Sequence, residues 1–363
     1  MRCGGWLALV VACFLGVPSV LADEIADLKA IVGEIDSVEA RREAPAASAA
    51  ILTRNVARLT GLIDGRRLNS SGLVVAHHYR ALARSLQNAA RLRNNEKLDP
   101  ASARAALSDF DKVIVAGIDI PGWKVSATDA GYAAGHVALH QLKSAPTAYA
   151  YWERCARRDH AGCMNIMAEV KFTGNDGQKM DVAEALALHE RVYHTGIRYG
   201  CAGALSAHRI ALITHFTGTK RSGDEEIMWF GRAQALLDEL ASKQGAGAAN
   251  QCGRAAMDVD EYLVRRGRGE RPTALLERAG GRSPSEPIRV ITEYLLRIID
   301  DDTLRTIIVA PIPQDTRCQL HFWGLWNSAI AGRSELARAY MRSLLDIGNS
   351  CGTYLRYARK FGL

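Results

Sequence analysis

Residues 163–206 read CMNIMAEVKFTGNDGQKMDVAEALALHERVYHTGIRYGCAGALS, and this stretch decides the fold. From Cys163 onward, small and apolar residues recur every three or four positions, which is the pattern of a helix with one buried face. Gly174 ends that helix, and a second helical pattern begins after Asp181. The same features restart at Cys201, 38 positions after Cys163. The stretch therefore predicts a helical hairpin that is repeated along the chain.

The rest of the 363-residue chain carries helical periodicity almost throughout. Only 10 residues are proline and 48% are apolar, which disfavours a loop-rich sandwich or a disordered chain. Ile307–Val309 is the one short β-branched run worth noting, and Pro311 and Pro313 close it. The net charge of +7 is basic but not extreme. We therefore predict an all-α protein.

The first 22 residues are typical of a secretory signal peptide. Arg2 supplies a positive charge, residues 6–17 form an apolar segment, and Val20–Ala22 provides a cleavage site. A lipoprotein signal is the alternative, because Val10–Cys13 resembles a lipobox. No later stretch is apolar over the length that a membrane span needs. We expect a periplasmic or secreted protein that is not transmembrane.

Cysteine usage agrees with export. The chain has 8 cysteines, of which Cys3 and Cys13 lie in the predicted signal peptide. An even number of remaining cysteines in an exported chain indicates disulfide bonds. No Cys-x-x-Cys pair occurs, which argues against a zinc ribbon or a thioredoxin-like site. The remaining six are Cys155, Cys163, Cys201, Cys252, Cys318 and Cys351.

Residues 148–218 resemble Sel1-like repeats, which are related to the tetratricopeptide repeat. The positions that match a first helix and its end are Cys163, Met167, Ala168 and Gly174. Those that match the second helix are Asp181, Ala185, Leu186, His189, Val192 and Gly196. The next first helix restarts with Cys201, Leu205 and Ser206. Trp152 precedes His189 by 37 positions, which repeats the period.

The resemblance implies an α-solenoid of stacked antiparallel helix hairpins. It also implies a disulfide between Cys155 and Cys163, because a spacing of eight positions characterises the cysteine-rich exported branch of this family. The later cysteines depart from that spacing, so their pairing stays open among many connectivities. The next pairings that we expect are Cys201–Cys252 and Cys318–Cys351.

The chain is divided by these patterns into five segments. A cluster of Gly, Ser and Pro at residues 280–287 marks the last boundary. The segments are a signal peptide (residues 1–22), an N-terminal helical segment (23–66), tetratricopeptide-like hairpins (67–146), Sel1-like repeats (147–280) and a C-terminal helical subdomain (281–363).

Two features are candidate contacts with a partner. Residues 265–271 form a basic loop that fits phosphate, a lipid headgroup or an acidic partner, and a solvated loop is the alternative. Residues 321–326 form an aromatic cluster that fits a groove anchor for a peptide, and core packing is the alternative. The candidate residues are Arg265, Arg266, Arg268 and Trp323.

Catalytic and metal signatures are weak. His136 and His140 share one helix face, as zinc ligands do, but no third ligand is identifiable and packing or surface histidines are the alternative. The acidic residues 300–302 suit either a cation or the start of a helix. Neither G-x-S-x-G nor S-x-x-K occurs. We therefore assign no catalytic, cofactor-binding or metal-binding residue.

These patterns favour an interaction scaffold of the cell envelope. Its partner is expected to be a protein or peptide that lies on the concave solenoid surface, and nucleic acid is not expected. Two alternatives stay open. One is an envelope enzyme on the same solenoid, a hydrolase or a binder of penicillin-type ligands, and the other is an envelope lipoprotein component.

Overall fold

The computed structural model describes residues 19–41, 45–66, 68–94, 96–219, 224–282 and 286–362. Within these ranges the chain forms eighteen α-helices and no β-strand, which confirms the all-α prediction for them. None of these helices has the length and apolarity that crossing a membrane requires. The predicted lipobox and most of the predicted signal peptide fall on residues 1–18, outside the described residues.

The helices follow one another through short connections. The first nine are α1 (Ser19–Arg41), α2 (Pro45–Asp64), α3 (Ser70–Arg93), α4 (Pro100–Ala116), α5 (Ala127–His136), α6 (Ala145–Ala156), α7 (Ala161–Thr173), α8 (Val182–Tyr193) and α9 (Ala202–Thr217). The others are α10 (Glu225–Gln244), α11 (Ala246–Gln251), α12 (Arg254–Gly267), α13 (Thr273–Arg282), α14 (Glu286–Leu295), α15 (Asp301–Val309), α16 (Gln314–Ile330), α17 (Ser334–Ile347) and α18 (Gly352–Ala358). A π-helical turn, Val137–Gln141, continues α5.

The chain divides into two compact units, residues 1–163 and 164–363. In the first unit, each helix from α2 to α5 packs against the next one along the chain. In the second unit, α8, α9 and α10 pack in order, as do the pairs α12–α13 and α16–α17. Packing between successive helices is what repeated hairpins produce. The division falls inside the predicted 147–280 segment, so the five segments remain a prediction about repeats.

Local capping signals explain where several helices begin. Asp99 Oδ1 accepts hydrogen bonds from the backbone of Ala101 and Ser102, and Pro100 occupies the first turn. Asp300 Oδ1 accepts from the backbone N–H of Thr303 at 2.9 Å, so the acidic run caps α15. The β-branched run at 307–309 is the last turn of this capped helix.

The second unit has an aromatic core that joins distant parts of the chain. The ring of Phe216 on α9 lies 4.7 Å from Trp326 on α16 and 4.8 Å from Tyr357 on α18, measured between centroids. Such pairs add to the free energy of burial itself. The last helices of the chain therefore pack against the region that resembles Sel1-like repeats.

The described residues form three disulfides, and their pairings are those expected from the sequence. Cys155–Cys163 links α6 to α7 across 8 positions, and Cys318–Cys351 links α16 to the turn before α18 across 33 positions. The third disulfide, Cys201–Cys252, links the residue before α9 to the residue after α11 across 51 positions. A longer closed loop restricts the unfolded chain more strongly.

We predict that removing these disulfides lowers stability in the order of their loop lengths. Replacing Cys201 and Cys252 by serine is expected to lower the free energy of unfolding by about 4 kcal/mol, and the same change at Cys155 and Cys163 by about 2.5 kcal/mol. Urea denaturation under non-reducing conditions measures both values. Equal losses for the two variants would contradict the loop-length argument.

A buried polar group joins three helices of the predicted repeat. Ser206 Oγ on α9 donates to Asn165 Oδ1 on α7 at 2.6 Å, and His189 Nδ1 on α8 lies 3.2 Å from the same oxygen. His189 is 1% exposed. Burial lowers the pKa of His189 to about 4, so its imidazole is neutral in the folded chain.

Because His189 is buried and neutral, we predict that acid lowers the stability of the fold. The pKa of His189 is about 6.5 in the unfolded chain, so the unfolded state binds more protons between pH 6.5 and 4. The contribution of the neutral His189 imidazole to the free energy of unfolding is complete above pH 6.5. It is lost as the pH falls towards 4, and the loss is up to about 3 kcal/mol. Urea denaturation at pH 7 and pH 4 measures the loss. His189→Phe is expected to lose less stability over this range, and equal losses would contradict the assignment.

Candidate functional site

Two of the three candidate arginines are committed to ion pairs. Arg265 Nε lies 2.8 Å from Glu261, and its Nη1 lies 3.1 Å from Glu270. Arg268 Nη2 lies 2.6 Å from Glu226, whose side chain is fully buried, and its Nη1 lies 2.7 Å from Asp224. These ion pairs neutralise both guanidinium groups and hold the end of α12 in place.

Arg266 differs from its two neighbours. Its guanidinium donates to the hydroxyl of Tyr262 one turn earlier at 3.2 Å and makes no ion pair with any described residue. It lines a cavity of about 640 Å³ in the second unit. The cavity is also lined by Tyr294, Leu295, Arg297, Ile298, Ile299, Asp300, Asp301, Thr303, Asn327, Ala331 and Arg333.

A second hollow of about 450 Å³ adjoins this cavity. The residues that line both are Arg266, Leu295, Arg297 and Ala331. We call the two hollows together the arginine groove. Both volumes are in the range of sites that bury small ligands.

Arg297 is the second arginine at the shared wall. It follows the last turn of α14 in a left-handed conformation, with φ of +63°, which is uncommon for a residue other than glycine. The backbone N–H of Ile298 donates to the carbonyl of Glu293 at 2.8 Å and closes this turn. Arg297 makes no ion pair within the described residues, so the shared wall carries two positive charges without acidic partners.

Arg271 also lines the smaller hollow, whereas Arg333, in the larger hollow, is neutralised. Arg333 Nη1 lies 2.5 Å from Asp301 Oδ2, and Arg333 Nη2 donates to the hydroxyl of Tyr294 at 2.9 Å. That hydroxyl donates to Asp301 Oδ1 at 2.6 Å. Burial acts to lower the pKa of Arg333, but Tyr294 and Asp301 outweigh it and raise the pKa, so the guanidinium stays charged. This triad forms a fixed polar wall.

Asn327 adds an unsatisfied acceptor. Its side chain is 4% exposed and lines the larger hollow, and its Oδ1 has no hydrogen-bond partner in the described part of the chain. Leaving a buried carbonyl oxygen unpaired costs about 1–3 kcal/mol. A ligand that donates an N–H or O–H here removes that cost.

Trp323 is corrected from a partner contact to a core residue. Its side chain is fully buried, and its Nε1 donates to Asp260 Oδ1 at 2.7 Å. Phe322, Leu325 and Trp326 are buried as well. The aromatic cluster therefore packs within the second unit, which was the alternative reading.

The candidate metal-binding histidines lie in the first unit. The rings of His136 and His140 stack with centroids 5.6 Å apart, and neither makes a hydrogen bond to a described residue. Burial lowers the pKa of both imidazoles. The described residues bring three possible ligand atoms together at Cys155, His160 and Cys163, but these two sulfurs form a disulfide and do not offer thiolates.

Comparison with known proteins adds no relative. The chain matches no protein-family model, and no curated protein matches it significantly. What the groove can do is therefore argued from its own chemistry. Within the described residues, three guanidinium groups without ion pairs, those of Arg266, Arg271 and Arg297, line the groove together with a fixed polar wall and one unpaired oxygen. Such a set is suited to binding an anionic group that also carries a hydrogen-bond donor.

Most groove residues carry no sequence signal. Asn327 lies on α16, Arg297 and Arg333 lie in two different connections between helices, and no sequence motif joins the three. Arg266 was identified only as part of a basic loop in which three arginines look equivalent. Asp300 and Asp301 were noted as an acidic run but not as neighbours of that loop.

The structure predicts opposite outcomes for two neighbouring arginines. Arg268→Ala removes the guanidinium that faces buried Glu226 and is expected to lower the free energy of unfolding by about 3 kcal/mol. Arg266→Ala removes no ion pair and is expected to change it by less than about 0.5 kcal/mol. Urea denaturation measures both, and a larger loss for Arg266→Ala would show that this side chain is structural.

Proposed function

We propose that this chain is an exported helical-repeat protein of the Sel1-like type that binds a protein or peptide partner as an interaction scaffold. Binding, and not catalysis, is its proposed activity. The observation that carries the proposal is the shared wall of the arginine groove, where Arg266 and Arg297 have no acidic partner in the part of the chain that the structure describes. The groove suits a partner with an acidic segment.

Several repeat positions behave as a Sel1-like hairpin requires. Cys163 and Ala168 are fully buried on α7, where small residues allow close helix packing. Gly174 ends α7 with φ of +68°, the left-handed conformation that a helix-ending glycine supplies. Asp181 caps α8 by accepting from the backbone N–H of Glu184 at 2.9 Å. These features support an α-solenoid built from such hairpins.

The disulfides support export. Three cysteine pairs are joined, and such bonds persist in oxidising compartments and are rare in the cytosol. This chemistry and the predicted signal peptide both support a periplasmic or secreted location. The basic net charge of +7 is compatible with an acidic partner.

The proposal is tested with a random seven-residue peptide library passed over the immobilised protein. We expect a subset of peptides to be retained. The double variant Arg266→Gln, Arg297→Gln is expected to retain these peptides at least about tenfold less. The matched control is Arg342→Gln, which removes an exposed arginine of α17 that lines neither hollow. Retention that is absent, or equal in the double variant and the control, would refute a peptide-binding groove.

A further inference from the structure

The arginine groove continues on both sides of its arginines. Arg266 and Arg297 line both hollows, so they stand at the boundary between the two and not at a closed end. A chain that occupies both hollows passes over this boundary. Its charged group then lies in the middle of the bound segment, with polypeptide leaving in two directions.

Apolar side chains flank the boundary symmetrically. Leu296 is 37% exposed and lines the smaller hollow, while Ile298 is 68% exposed and lines the larger one. Arg297 lies between them in the chain and lines both. One exposed apolar side chain therefore lies on each side of the two arginines, in hollows whose other lining residues are mostly polar.

We infer that the groove binds an extended peptide through an internal Asp or Glu side chain at Arg266 and Arg297, with an apolar residue on each side of the acid. This inference rests on the proposed function and specifies its ligand. The neighbours of the acid contact Leu296 and Ile298, one in each hollow. A backbone N–H of the peptide donates to Asn327 Oδ1, which has no partner within the described residues.

The charges of the groove favour a carboxylate over a phosphate. Planar guanidinium groups bind either anion in a bidentate manner. Asp300 and Asp301, however, line the larger hollow with two negative charges, and only Asp301 is paired with Arg333. The charged residues that line the two hollows are four arginines, two aspartates and one glutamate, which gives a net charge of +1. One carboxylate neutralises this charge, whereas a phosphate dianion exceeds it.

The unpaired oxygen of Asn327 gives a separate contact. Because Asn327 lines only the larger hollow, its hydrogen bond is made beyond the acidic residue and does not depend on the acid. Loss of this acceptor should weaken binding of every peptide that enters the groove. It should leave the preference for an acid unchanged, which separates the two contacts experimentally.

The test uses fluorescein-labelled Ser-Ala-Leu-Glu-Leu-Ala-Ser-amide, titrated with the purified protein and followed by fluorescence anisotropy. Matched peptides carry Gln in place of Glu, Ser in place of both Leu residues, phosphoserine in place of Glu, or Gln with a free C-terminal carboxylate. We expect the Gln peptide to bind at least about tenfold more weakly than the Glu peptide. The Ser-flanked peptide is expected to bind several-fold more weakly.

Variants assign the contacts. The double variant Arg266→Gln, Arg297→Gln is expected to bring the affinity for the Glu peptide down to that for the Gln peptide. Asn327→Leu is expected to weaken both by a similar factor, so that their ratio is kept, and Arg342→Gln is expected to change neither. Circular dichroism and thermal unfolding of each variant exclude loss of fold as the cause.

Several outcomes would overturn the inference. Equal affinity for the Glu and Gln peptides would show that no carboxylate is recognised, and tighter binding of phosphoserine would assign the site to a phosphorylated ligand. Binding only of the free C-terminal carboxylate would assign it to a chain end. Arginine-dependent retention of the random library without binding of the Glu peptide would overturn this inference alone, and the proposed function would stand.

Discussion

The hydrogen bond between Trp323 and Asp260 fixes two of the helices that line the arginine groove. Trp323 Nε1 donates to Asp260 Oδ1 at 2.7 Å, and His208 Nε2 lies 2.9 Å from the other carboxylate oxygen. Asp260 lies on α12, six positions before Arg266, and Trp323 lies on α16, four positions before Asn327. Because an unpaired buried carboxylate is costly, α12 and α16 keep one register, and the two groove residues are held with them.

What the sequence predicted well depends on short-range physics. The helical period, the cap at Asp99 and the helix-ending Gly174 each act within about one turn of chain, so their signals stand next to the structure they cause. The disulfides were predicted beyond that range, because Cys155 and Cys163 match a family spacing and the other four stand near helix ends. When the order of the helices is known, a sequence can indicate which cysteines near helix ends form a disulfide.

The sequence did not predict which arginines lack an ion-pair partner, because this depends on tertiary structure. Arg265, Arg266 and Arg268 look alike in the chain, and only the positions of Glu226, Glu261 and other acids distinguish the paired ones from Arg266. The groove also collects residues from five helices, α12 to α16, and from the connections that follow α12, α14 and α16, which are brought together by tertiary packing alone. Trp323 was misplaced for a related reason, since its polar partner Asp260 lies 63 positions away.

Two groove residues lower the stability of the fold that holds them. Arg297 adopts a left-handed backbone conformation that glycine adopts at lower cost, and Asn327 buries an oxygen without a partner. Together these cost on the order of 2–4 kcal/mol, and strain of this kind concentrates at functional sites. A glycine in place of Arg297 relaxes the backbone but removes the charge shared by both hollows. A leucine in place of Asn327 occupies a similar volume without a buried polar group. Folding alone therefore favours other residues at both positions, and the proposed binding of a peptide gives a reason for the ones that are present.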